Sequence, residues 1–198
     1  MKPRPILFLF TLIIVGSLPA QAIPFTLDFG GLQNNEQVLS FYDGGTGSLG
    51  SGPGTNYGIF FNPTFVAVSG KPLYGPDIVG QANGLSLMNV YGGFNLLSFY
   101  YESPGPGSVY IESGLDGAGG PLAVIPLTAS ATWSAAGKEF SGTALSVVFD
   151  VAPGTKFDQI TDVNFVIPEP SSLLLLATGL VSLIPECRRR LTRRVAHT

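Results

Sequence analysis

The chain has 198 residues, room for about one ordinary domain beside targeting segments. Its 26 glycines and 16 prolines, with few charges and many Phe and Tyr, argue for short strands joined by turns and against a helical bundle. The net charge of -3 hides a segregation: residues 23–167 hold eleven Asp and Glu against Lys71, Lys138 and Lys156, about -8, so the clustered cations that a nucleic-acid partner requires are missing from the body of the chain.

The first residues are MKPRPILFLFTLIIVGSLPAQAIPF. Lys2 and Arg4 precede an apolar stretch from Ile6 to Val15, and Ala20-Gln21-Ala22 supplies the small residues of an A-x-A site. That order is the pattern of a secretory signal peptide, so residues 1–22 are expected to engage the Sec export machinery and to be cut by signal peptidase after Ala22. The apolar run is too short to span comfortably as a permanent helix. No cysteine occurs between this segment and Cys187. The exported part therefore forms no disulfide, and its stability must come from a packed core, with or without a metal.

From Ile23 to Val166 the apolar runs are short. FTLDF at 25–29, GIFF at 58–61, FVAV at 65–68, LSLMNV at 85–90, FNLLSFYY at 94–101, SVYIE at 108–112, LAVIPL at 122–127, LSVVFDV at 145–151 and FDQITDVNFV at 157–166 are the expected strands. Nine strands without a helix predict an all-β domain over 23–166, an antiparallel β-sandwich of jelly-roll type. Asn83-Gly84 and Asp116-Gly117 accept positive φ, and the second predicts a hairpin between SVYIE and LAVIPL. Between the first strands, Gly45-x-Gly47-x-x-Gly50 has the spacing of a dinucleotide fingerprint. No βαβ unit surrounds it, and the Gly52-Pro53-Gly54 that follows starts no regular helix, so a flexible surface loop is the expectation.

The chain finishes VIPEPSSLLLLATGLVSLIPECRRRLTRRVAHT. Ser171 to Ile184 carries no charge, and as a helix it measures about 21 Å, short of the roughly 30 Å hydrocarbon core. Arg188, Arg189, Arg190, Arg193 and Arg194 follow, and the positive-inside rule keeps them in the cytoplasm while their long side chains extend the effective span. With the N-terminus exported, the body then lies outside the membrane. Cys187 falls at the cytoplasmic face, where a reduced bystander is expected.

Pro168, Glu169 and Pro170, the apolar segment and the arginines together resemble the PEP-CTERM sorting signal of Gram-negative bacteria. The resemblance covers residues 167–194, and Pro185-Glu186, a second Ile-Pro-Glu after the apolar run, departs from it. It implies recognition by an exosortase, a membrane-embedded cysteine protease or transpeptidase, which removes the short C-terminal transmembrane helix. The body would pass from a transient anchor in the periplasm to the cell surface or the extracellular space, typically in bacteria that make exopolysaccharide. GLQNNEQVLSFYDGGTGSLGSGPGTNYGIFF and FSGTALSVVFDVAPGTKFDQITDVNF also resemble exported β-sandwich proteins that carry this tail, a group without a known activity.

Catalytic chemistry is hard to assemble. The single histidine, His197, lies in the basic tail, so neither a Ser-His-Asp arrangement nor a His-based zinc site forms in the exported part. Glu102, Glu112 and Asp116 are the carboxylates a glycoside hydrolase would use. Asp28 in the first strand and Asp158 in the last are candidate ligands of a structural calcium, completed by carbonyls of the Gly-rich stretch, with Asp43 and Asp162 behind them. The plainer alternative has these carboxylates facing water or capping turns. Tyr100, Tyr110 and Trp133, with Tyr91 and Tyr101, are candidates for stacking on sugar rings, although alternation sends Tyr100 and Tyr101 to opposite faces. The expectation is a non-enzymatic surface or matrix protein with a structural or adhesive role. The alternative is a module that binds exopolysaccharide, and a glycoside hydrolase is the remote option.

Overall fold

The computed structural model describes residues 25–162. The expected signal peptide with Ala20 and Ala22, the Pro168-Glu169-Pro170 motif, the apolar segment 171–184, the arginine cluster, Cys187 and His197 lie outside the described residues. Among the described residues no helix is long and apolar enough to cross a membrane.

Ten strands follow one another: β1 (Phe25–Leu27), β2 (Glu36–Gln37), β3 (Ile59–Phe61), β4 (Phe65–Ser69), β5 (Ile78–Ala82), β6 (Leu85–Ser103), β7 (Gly107–Glu112), β8 (Pro121–Leu127), β9 (Ser130–Asp150) and β10 (Thr155–Asp162). A 3-10 turn at Leu115–Gly117 links β7 to β8, and this pair forms the hairpin that Asp116-Gly117 predicts. The ladder is antiparallel, in the order β2-β4-β5-β10-β6-β9-β7-β8, with β1 on β10 and β3 on β6.

Two strands are far longer than the usual five or six residues, 19 in β6 and 21 in β9, because each serves two sheets. The start of β6, Leu85 to Asn89, pairs with Ser146 to Asp150 of β9, while its later part, Leu96 to Ser103, pairs with Ser130 to Glu139 of β9 and with β10. The ten described strands form one continuous sheet with two parts, of which the first sheet is β3-β6-β9-β7-β8 and the second sheet is β2-β4-β5-β10-β6-β9 with β1 on β10. The nested runs β5-β10-β6-β9 and β6-β9-β7-β8 follow the strand order of a jelly roll in which two corner connections have become unbroken strands.

Paired bulges make the corner. Five steps along β6, Asn89 to Phe94, face two steps of β9, Ser146 to Ala144; two steps of β6, Phe94 to Leu96, then face five of β9, Ala144 to Glu139. The register is lost and regained, and both strands bend together. Gly93 is required there: its φ is 74°, and a Cβ would run into the methyl of Thr143.

The two sheets close over one apolar core. Phe65 of β4 lies 4.6 Å from Phe61 of β3, 5.4 Å from Phe149 at the end of β9 and 6.0 Å from Phe157 of β10, measured between ring centroids, so rings from both sheets meet at one side chain. Phe29 joins them at 5.7 Å. Alternation along β6 sends Leu97, Phe99 and Tyr101 inward and leaves Tyr100 and Glu102 on the outer face.

The Gly-rich stretch is folded around a buried carboxylate, where sequence reasoning expected a free loop. Glu36 of β2 is fully buried; its Oε1 accepts the amides of Leu49 (2.9 Å) and Ser51 (3.1 Å), and its Oε2 accepts that of Gln33 (2.7 Å). Backbone bonds from Gly45 to Ser40, Gly47 to Ser51 and Gly54 to Gly45 complete the tie. A Cβ on Gly47 would collide with the Glu36 carboxylate, which is why that position carries none.

Candidate functional site

The outer face of the second sheet is read from its register. Tyr100 of β6 stands between Ala135 of β9 and Asp158 of β10, and Glu102 stands opposite Lys156. Trp133, two residues before Ala135, shares their side of β9.

The connection between β4 and β5 crosses this face as a strap, residues 70–77 with the sequence GKPLYGPD. Three ties hold it. The Trp133 indole Nε1 donates to the Lys71 carbonyl at 2.9 Å. The amides of Leu73 and Tyr74 donate to Asp158 Oδ2 at 2.9 and 3.1 Å. The Tyr74 ring rests against Tyr100, with centroids 5.7 Å apart and planes tilted by 55°. Beneath the strap Asp158 is fully buried although it points away from the core. Burial pushes its carboxyl up from the ordinary value; the amides of Tyr74, Leu73 and Gln159 oppose that, and the charge of Asp28 adds to the rise.

Above the strap the surface is apolar and aromatic. Tyr74 is 51% exposed and Leu73 43%. Along the same sheet face Lys156 Nζ and Glu102 Oε2 form an ion pair at 3.8 Å, both partly exposed. These two residues, with Ser103, Pro104, Ser130 and Ala131, line an open depression of about 470 Å³. Aromatic faces flanked by hydroxyl, carboxylate and ammonium groups are suited to a ligand with apolar C–H faces and a hydroxyl rim.

Of the candidates named from the sequence, Asp28, Asp158, Tyr100 and Trp133 are gathered at or under the strap. Tyr110 is not: it sits on β7 between Val124 and Val148, on the outer face of the other sheet. Tyr101 is buried, its hydroxyl bonded to the Thr128 amide at 3.3 Å, and Tyr91 is exposed at the β6 bend. The Gly-rich stretch, expected to lend carbonyls to a calcium, is wrapped around Glu36, so it is the strap that lies beside Asp158. Asp43 makes a lone backbone bridge to Asn56, and Asp162 pairs with Phe25 at the end of β10.

The hydrolase carboxylates are divided between the sheets. Glu102 is paired with Lys156 on the second, whereas Glu112 ends β7 on the first and Asp116 is held by Asn89, whose Nδ2 donates to its Oδ1 at 2.7 Å. Tyr74 and Glu36 were missed by sequence reasoning. A tyrosine between Pro72 and Gly75-Pro76 in a loop is a signal that a search along strands passes over.

No family model matches the chain, and no curated protein does. Among solved structures, a glycoside hydrolase family 43 arabinoxylan arabinofuranohydrolase from Bacillus subtilis is similar at 14% identity and a TM-score of 0.41, over 52% of this chain and 25% of that one. The chain thus spans about a quarter of the length of that enzyme. A module from Clostridium stercorarium in complex with cellobiose is similar at 9% identity and a TM-score of 0.39, covering 54% of this chain and 86% of its own. A family 29 carbohydrate-binding module complexed with mannohexaose is similar at 9% identity and a TM-score of 0.41, covering 73% and 92%. At such identities and scores the likeness carries no residue role to this chain.

Proposed function

We propose that this is an exported, non-enzymatic adhesive protein that binds polysaccharide on the strap face of its second sheet. The observation that carries the reading is that Tyr74 rests on Tyr100 while Trp133 holds the same strap through Lys71, on the sheet face that also carries the open depression at Glu102 and Lys156. Stacking supplies apolar area without demanding one sugar, and the flanking polar groups supply orientation. The exported region is acidic, so its partner is a neutral glycan chain in preference to an anionic one. Delivery follows from the termini: Sec export, retention in the inner membrane by the tail, and release by an exosortase at Pro168-Glu169-Pro170.

Affinity electrophoresis through gels cast with neutral polysaccharides tests the binding. Tyr74→Ala is expected to weaken retention about tenfold, while Tyr110→Ala on the opposite face leaves it unchanged. Unchanged retention in Tyr74→Ala together with loss in Tyr110→Ala would move the site to the other sheet. Intact mass measurement on protein from the native host tests delivery. A species ending near Glu169 is expected outside the inner membrane, and a membrane-bound species running from Ile23 to Thr198 would reduce the tail to a plain anchor.

A further inference from the structure

We propose that Asp158 and Asp28, beneath residues 73–76, are the carboxylate ligands of a calcium site. Asp158 is fully buried, and its two oxygens are treated unequally: Oδ2 accepts two strap amides, while Oδ1 is enclosed and has no hydrogen-bond partner. A buried carboxylate oxygen left without a partner is costly, and it marks the place of an ion or a water.

The backbone brings the second carboxylate to it. Leu27 of β1 pairs with Ile160, so Asp28 continues along the ladder toward Asp158. β10 bulges between Asp158 and Thr161, with Gln159 at a φ of 48°, which re-aims the strand at that level. Asp28 also faces the strap, for a Cβ built on Gly75 would lie 3.8 Å from its own Cβ. Its Oδ1 takes the Gly30 amide at 3.0 Å, and its charge is felt at Asp158. The ion pair seen among the described residues joins Lys156 to Glu102, so neither Asp has a lysine partner of its own.

The donor set selects the ion. Carboxylate oxygens without imidazole or thiolate suit a hard cation, and flexible geometry with mixed ligands favours calcium over magnesium. Among the described residues no group of three or more Asp, Glu, His or Cys side chains forms a metal cage. Backbone carbonyls and water must fill the remaining positions, which sets a dissociation constant on the order of 0.1 mM, in the range of extracellular modules. The proposal does not depend on glycan binding.

The test uses the full chain stripped with EDTA, followed by calcorimetric titration with calcium chloride and by melting curves. One calcium is expected to bind and to raise the melting temperature by about 4 °C at 2 mM calcium. Asp28→Asn, an exposed position whose change leaves the fold intact, and Asp158→Asn should both lose the shift, while Asp116→Asn on the other sheet keeps it. If the wild-type chain takes up no calcium, or if Asp28→Asn keeps the whole shift, the site is not there.

Discussion

Glu36 and Asp158 are both fully buried, and their surroundings move them in opposite directions. Burial raises each. At Glu36 the Ser51 hydroxyl and the amides of Gln33, Ser51 and Leu49 outweigh burial and hold the carboxyl below its ordinary value of 4.5. A carboxyl lowered by folding contributes stability that is present above the unfolded value and is lost as pH falls through the folded one. At Asp158 the balance goes the other way, so in the calcium-free chain its contribution is full at acid pH and disappears as pH rises. Glu36→Gln is expected to cost about 2 kcal/mol at pH 7, because the new amide turns a donor toward one of three backbone N–H groups. Urea unfolding of both proteins at pH 7 and again near pH 3 checks it: the gap should narrow at the lower pH as the wild-type carboxyl protonates. A gap that stays constant would mean that Glu36 acts through packing alone.

At the scale of elements, what was legible depended on where the apolar residues lie. FTL, IFF, FVAVS and the Val-Tyr-Ile and Val-Ile cores of β7 and β8 alternate or run apolar, and each appears within a residue or two of its expected place. The first half of β9, SATWSAAGKEFSGT, was missed because as the last strand of its sheet it pairs only with β6, and most of its residues face water. Its strand character comes from the neighbour, not from its own sequence. LSLMNV and FNLLSFYY, expected as two strands, run on as the single β6, because the residues between them form a bulge across which the chain keeps its partner. β5 escaped notice as a short IVGQA that is buried between β4 and β10. The candidate site was half legible. Tyr100, Trp133, Asp28 and Asp158 lie in strands, where alternation can be applied, whereas their meeting point is made by a loop whose path no periodicity reveals.

At the scale of the molecule, β6 and β9 pass through both sheets, and the Phe65 cluster takes rings from both, so neither sheet has a core of its own. Such a body should unfold as one unit. The chain offers an internal test, because Trp133 is its single tryptophan and reports on the strap face alone, whereas far-ultraviolet circular dichroism reports on every strand. Phe65→Leu removes ring contacts with Phe29, Phe61, Phe149 and Phe157 and is expected to cost about 2 kcal/mol. Although Phe65 lies on the far side of the sheet from Trp133, both probes should move to the same lower urea midpoint. A tryptophan transition that stays in place while the dichroism midpoint falls would show that the strap and its sheet face hold together without the aromatic core. The strap face would then be a separable unit laid over the strands, and substitutions in the core would leave it standing.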